Sequence, residues 1–203
     1  MDGLMIDSEP LWFSVERDLA QSYGHEWTHE LALECVGTGL PNTARIMAAA
    51  LGLNFAPEDG ARMLIDRFVD RVDDLVLKPG CVELIEAAER ASIPRAVASS
   101  STPTLIGTVL ERFDLTARFD AVVSGESVAN SKPAPDIFVH TAELLSTEPA
   151  DCTVLEDSIP GVTAGRAANM QVVAVPEIDD PRFADIADCV LKDLHEARRW
   201  LEL

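Results

Sequence analysis

From residue 78 onward the chain alternates short apolar runs with segments of roughly ten residues at helical spacing, and few folds accept that order. Helical segments are expected over 82–91, 102–113, 136–145 and 161–168, and strands over 96–98, 119–123, 153–155 and 172–175. The strand segments are apolar along their length instead of alternating, which marks strands covered on both faces. Helices between such strands give βαβ units and a parallel sheet. In such sheets ligands gather at the carboxyl ends of the strands. Ser99, then Ser124-Gly125-Glu126, then Glu156-Asp157 fall at those ends, with Lys132 on a nearby loop.

The first third reads differently. Leu11, Val15, Leu19 and Ser22-Tyr23 recur at helical spacing, as do Ile46, Ala49-Ala50 and Leu53, and then Met63-Leu64, Phe68, Val72 and Leu75-Val76. Pro41 and Pro57 suit first helical turns, and Gly24 and Gly52 suit helix ends. The expectation is a small helical bundle with no strand between 9 and 77. The fold class is therefore α/β: a Rossmann-like parallel-sheet core with an inserted all-helical domain.

Composition removes several functions. A net charge of −19 opposes nucleic acid and anionic membranes, whose phosphates attract Lys and Arg. No apolar run nears the roughly 20 residues of a membrane span, and the first residues lack the basic start of a signal peptide. A cytoplasmic monomer is expected. Cys35, Cys81, Cys152 and Cys189 are scattered without a CxxC pair, so reduced thiols are expected instead of zinc or a disulfide framework.

Four short motifs carry chemistry. Ser99-Ser100-Ser101-Thr102 before Pro103 suits a helix cap, and also an anion site of hydroxyls and backbone N–H groups. Lys132, in the stretch SKPAPDIF, is one of three lysines in a chain that otherwise uses arginine, and a lysine is a compact charge suited to phosphate. Glu156-Asp157, in VLEDSIPGV, ends an apolar strand. Adjacent buried carboxylates repel and lose hydration unless a cation compensates, and magnesium takes such oxygens. MDGLMID at the start is by itself only a turn.

In order, the four motifs resemble those of the haloacid dehalogenase superfamily, in particular its phosphatase and beta-phosphoglucomutase branch with a helical cap. That resemblance spans essentially the whole chain and implies a core of 1–8 and 79–203 around a cap of 9–78, with Asp7-Ser8-Glu9-Pro10 and Lys78-Pro79-Gly80 as hinges. It implies a small-molecule phosphate ester as substrate and Mg2+ as cofactor. An aspartate attacks phosphorus, and a second aspartate two residues on acts as acid and base. Magnesium and a lysine neutralise the phosphoryl oxygens. Carried over by motif, Asp2 is the acid/base and, through its main-chain carbonyl, a metal ligand, with Glu156 and Asp157 completing the metal set. Gly3, Ser99, Ser100 and Lys132 bind phosphate, and Lys132 also pairs with the nucleophile.

The family's first motif is Asp-x-Asp-Gly, with Met1 at x and Asp2 as the second Asp. The nucleophile is thus expected immediately before Met1, on a central strand of about five or six residues. The natural protein is expected to start upstream and to be active, and residues 1–203 alone to lack phosphoryl-enzyme chemistry. Within the family a sugar or polyol phosphatase is expected over a mutase. By simple counting Trp12 replaces the mutase histidine, and the loop Val36-Gly37-Thr38-Gly39-Leu40-Pro41 offers no arginine before Arg45. A phosphate- or protein-binding relative without catalysis is the reading from a different class.

Overall fold

The structure is a computed structural model and describes residues 1–35 and 38–203. Two compact units are present, Ser8–Leu75 and the pair of segments Met1–Asp7 and Val76–Leu203.

The first of these is helical: α1 (Glu9–Ser22), α2 (His29–Leu33), α3 (Leu40–Leu51) and α4 (Pro57–Asp70). Prolines occupy the first turns of α1, α3 and α4, where a missing N–H costs nothing. Gly52 ends α3 in the left-handed region at φ 65°. Val15, Leu19, Ala44, Met47, Leu64 and Phe68 form the fully buried core. A Cβ on Gly60 would meet Ala44 and the Phe55 ring at 2.6 Å, so glycine lets α4 approach α3 closely.

Two expectations fail in this unit. The stripe on α3 is Thr43, Ala44 and Met47, whereas Ala49 and Ala50 are exposed. This helix is apolar or small nearly all round, so its period was ambiguous and close packing against α4 chose the face. The helix expected to run through Val76 instead stops at Asp70, is followed by a single turn over Val72–Asp74, and yields to a strand. Arg71 ends it, donating to Ser14 Oγ (2.7 Å), Asp18 (3.0 Å) and Asp74 (2.9 Å).

In the other unit β1 (Ile6–Asp7) pairs antiparallel with β2 (Val76–Leu77). Two residues are too few to show a period, which is why neither was expected as a strand. Then follow α5 (Cys81–Arg90), β3 (Ala96–Ser99), α6 (Pro103–Arg112), β4 (Ala121–Ser124), α7 (Asp136–Leu144), β5 (Thr153–Glu156), α8 (Ile159–Ala167) and β6 (Gln171–Ala174). These match the expected alternation to within two residues at most ends. α9 (Arg182–Ile186), β7 (Cys189–Val190) and α10 (Leu194–Trp200) complete the chain beyond the last expected strand.

Strand β3 runs parallel to β4, from Ala96 opposite Ala121 to Ser99 opposite Ser124. Strands β5, β6 and β7 form a second parallel set. Among the described residues no backbone hydrogen bond joins β3 to β5, so the sheet is open between them. Val123, Ile137, Phe138, Val154, Val162 and Val172 pack into one buried cluster. This is a mixed α/β fold with parallel sheets. The four cysteines are free thiols. Among the described residues no helix is long and apolar enough to cross a membrane.

Candidate active site

Every strand of this unit from β3 to β5 delivers a polar residue to its carboxyl end. Ser99 ends β3, Ser124 ends β4 and Glu156 ends β5, and all three are buried. The fourth contribution comes from the turn after Met1. Its carbonyl accepts the N–H groups of Met5 (2.8 Å) and Ile6 (3.4 Å), which closes a tight loop over residues 2–4.

Lys132 reaches the rim from the loop between β4 and α7. Its ammonium donates to the Ala98 carbonyl at 3.1 Å and to Glu156 Oε1, and it lies 4.7 Å from the centre of the Phe138 ring. One lysine thus bridges β3 and β5 where the sheet is open. The other carboxylate oxygen of Glu156 accepts the Ser158 hydroxyl (3.0 Å) and N–H (3.3 Å). Ser158 also caps α8, through the Gly161 N–H at 3.1 Å. A Cβ on Gly161 would overlap the Glu156 carboxylate, so the Pro-Gly turn makes room for that acid. Burial alone pushes Glu156 upward, but the Lys132 charge, the Met1 ammonium and these hydrogen bonds outweigh it and hold the carboxyl below its ordinary value.

Asp157 has no such lysine, and the Met1 ammonium and a backbone hydrogen bond offset its burial only in part. Burial first, then the neighbouring Glu156 charge, raise its pKa to about 6, with Asp2 adding to the rise. It lies against the Gly3 backbone so closely that a Cβ there would strike Asp157 Oδ2, and Gly3 itself has φ +67°. Glycine is required at position 3 on both counts.

Asp2 is split between its two oxygens. Oδ2 accepts the Ser101 hydroxyl at 2.9 Å, while Oδ1 is buried with no hydrogen-bond partner. Buried carboxylate oxygens are costly when unpartnered, and an exception calls for an explanation.

The serine run divides its work. Thr102 is the cap of α6, accepting the Leu105 N–H at 3.3 Å. Ser99 Oγ accepts the Ser101 N–H at 3.2 Å, and Ser124 Oγ donates to the Ser101 carbonyl at 2.7 Å. Ser100 is exposed at the same turn. Ser101 is the rim residue that sequence reasoning passed over; its only signal was being the third serine of a run already assigned to capping and anion binding.

The structure therefore brings Asp2, Gly3, Ser99, Ser100, Lys132, Glu156 and Asp157 to one rim of one unit. Among the described residues no three His, Cys, Asp or Glu side chains converge into a complete metal cage. Magnesium keeps several waters and needs only one or two carboxylates, and the half-buried Asp157 carboxylate beside Glu156 fits that demand. Glu156 is already engaged by Lys132 and Ser158, which suits it better to holding Lys132 than to direct ligation.

Residues 1–175 match the haloacid dehalogenase-like hydrolase family. This chain belongs to it. Hexitol phosphatase B of Escherichia coli K12 is 34% identical over 209 residues, covering 97% of this chain and 90% of the relative. A phosphorylated carbohydrates phosphatase of Thermotoga maritima is 33% identical over 173 residues, covering 84% and 80%. Among solved structures, CbbY from Rhodobacter sphaeroides in complex with phosphate superposes with a TM-score of 0.82 at 26% identity, covering 97% of this chain and 92% of the other. The chain is thus a hydrolase of a family whose similar members are phosphatases of phosphate monoesters.

Proposed function

We propose that these residues carry the phosphate-binding, acid–base and magnesium-holding parts of a phosphatase of small sugar or polyol phosphates, working through an aspartyl-phosphate. One observation carries the reading: an unpartnered buried oxygen on Asp2 and an Asp157 carboxyl pushed up by burial and by Glu156 share a rim with a buried lysine that has a carboxylate of its own. That arrangement suits a dianionic ligand and a cation better than it suits the empty protein. The hexitol and carbohydrate phosphatases among its relatives support the substrate class.

In this reading Ser99, Ser100 and the Gly3 backbone hold the phosphoryl group, and Lys132 neutralises two of its charges jointly with the cation. Asp2, with Oδ2 fixed by Ser101, carries its proton on Oδ1, gives it to the leaving alcohol and then takes one from water. Asp157 and the Asp2 main-chain carbonyl would hold magnesium, which supplies charge neutralisation at the transferring phosphoryl oxygens. Glu156 keeps Lys132 aimed. Unit Ser8–Leu75 is read as the cap and the other unit as the core.

The mechanism calls for one further carboxylate, the nucleophile, on a strand beside Asp2. The open edges of β3 and β5 would admit such a strand between them. The mutase alternative gains nothing from the helical unit. Trp12 is stacked on Phe68 with ring centres 4.1 Å apart, as a core residue is, and Arg45 is engaged with Asn42 at 2.7 and 3.0 Å. Val36 and Gly37 of the expected loop lie outside the described residues.

The test compares residues 1–203 with a form extended upstream to include an Asp before Met1. Phosphate release from a hexitol phosphate with Mg2+ is expected only from the extended form. Turnover by residues 1–203 that Asp157→Ala abolishes would place the nucleophile among them instead. Conversion of beta-glucose 1-phosphate without phosphate release would make the protein a mutase.

A further inference from the structure

The carboxyl end of β4 touches the rim yet takes no part in the chemistry proposed for it. Its last residue, Ser124, stands opposite Ser99 in the parallel pair, and both are buried. Ser100 and Ser101 follow Ser99 in a turn, and the backbone of Ser101 is held at both ends. Its N–H donates to Ser99 Oγ at 3.2 Å, and its carbonyl accepts the Ser124 hydroxyl at 2.7 Å. Ser124 Oγ also accepts the Glu126 N–H at 3.2 Å, as the cap of the single turn Gly125–Ser127. That cap uses only a lone pair, so it leaves the hydroxyl proton for Ser101.

Gly125 supports the other half of the turn. A Cβ there would meet Ser100 Cα at 3.1 Å and the Ser100 carbonyl oxygen at 3.4 Å, so glycine lets the end of β4 lie directly against the Ser100 backbone. Two neighbouring residues of one strand end thus reach two different parts of the site. Gly125 reaches Ser100, beside Ser99. Ser124 reaches Ser101, whose hydroxyl donates to Asp2 Oδ2 at 2.9 Å. Among the described residues Ser101 is the donor that holds the Asp2 carboxylate, whose other oxygen has none. Where Asp2 Oδ1 points therefore depends on where Ser101 sits.

We propose that Ser124 and Gly125 are positioning residues: Ser124 aims the acid–base Asp2 through Ser101, and Gly125 sets the phosphate-binding turn through Ser100. This role rests on the phosphatase reading. In that reading the ester P–O bond breaks with its electron pair left on the alcohol oxygen, which takes the proton from Asp2 Oδ1. A displaced acid still allows the ester to bind but delivers that proton badly. A displaced phosphate-binding turn weakens every ester alike.

Leaving groups separate the two roles. The alcohol of a hexitol phosphate needs a proton as it leaves, whereas p-nitrophenolate leaves without one. The quantity to compare is kcat/KM of the upstream-extended form with Mg2+, which covers the steps through loss of the leaving group. Ser124→Ala should lower it roughly tenfold for the hexitol phosphate, the worth of one hydrogen bond, and less than about twofold for p-nitrophenyl phosphate. Gly125→Ala should lower both by one common factor. With wild type active, equal losses on the two esters in Ser124→Ala would overturn the role of Ser124, and a Gly125→Ala loss confined to the hexitol phosphate would overturn that of Gly125. Wild type inert toward both esters would overturn the phosphatase reading and the catalytic role with it. The link itself is read without turnover in residues 1–203. There Ser124→Ala should shift the side-chain carboxyl carbon resonance of Asp2 and leave that of Glu156, held by Lys132 and Ser158, in place. An unmoved Asp2 signal would overturn the coupling through Ser101.

Discussion

Two buried glutamates, one in each unit, show how differently the same side chain behaves. Glu156 and Glu16 are equally hidden, each 6% exposed. Glu156 faces a lysine, a hydroxyl and a backbone N–H, and its carboxyl is held below the ordinary range. Glu16 has one neutral partner, the Trp27 indole N–H at 2.9 Å, and burial pushes its pKa to about 7, with the Glu9 charge adding to the rise. Burial is common to both, so the partner decides. A cation makes a buried carboxylate a fixed charge; an indole leaves it a group that titrates near neutrality.

Removing the cation should have the largest effect. Lys132→Met leaves Glu156 buried and unpaired, and such changes cost about 3–5 kcal/mol. Chemical denaturation should show that loss in the α/β unit, and Glu156→Gln added to Lys132→Met should recover most of it. A double variant no more stable than the single one would remove the charge argument.

The helical unit should show the opposite dependence on pH. A folded-state pKa of about 7 against an ordinary 4.5 means that folded Glu16 binds its proton more tightly than the unfolded chain does. Its contribution is complete below 4.5 and gone above about 7, a change of up to about 3 kcal/mol. Glu16→Gln should flatten that slope and stabilise the unit at pH 8, read from denaturation followed by Trp12 and Trp27 fluorescence in a Trp200→Phe background. In the α/β unit Glu156 contributes stability above its ordinary pKa that is lost as pH falls, while Asp157, raised to about 6, works in the other direction. Magnesium should separate these two. Because Asp157 must lose its proton to ligate, Mg2+ should raise the melting temperature of the α/β unit at pH 8 and do so progressively less as pH drops through about 6.

Smaller effects sharpen the comparison locally. Gly161→Ala sets a Cβ against the Glu156 carboxylate, and overpacking of this kind costs about 1–3 kcal/mol. Thr102→Ala removes a helix cap and should cost about 1 kcal/mol without touching either glutamate. If Thr102→Ala proved as damaging as Gly161→Ala, the crowding around Glu156 would not be the cause.

What the sequence disclosed follows the same line. Strands β3 to β6 were legible as short apolar runs between helical segments, although their burial is uneven and Val122 of β4 is exposed, and the acids and serines that end them were legible because polar residues break such runs. Lys132 stood out through the scarcity of lysine. The Glu16–Trp27 pair did not: eleven residues and a helix end separate its members, and no periodicity links them. His29 packs edge-on against Phe13, as a histidine at a helix junction does. β1 and β2 were too short to read, and the burial of α3 was settled by its neighbour. Ser101 was hidden by belonging to a run with two other duties.

The measurement that bears most directly on the account is Mg2+-dependent phosphate release from a hexitol phosphate by the upstream-extended protein, wild type against Asp2→Asn. Asp2→Asn keeps the side-chain shape and its bond to Ser101 while removing the proton carrier. A rate at least about a hundredfold lower is expected, the usual worth of general acid–base catalysis, together with loss of wild-type activity on removal of Mg2+. A rate unchanged by Asp2→Asn would contradict the account.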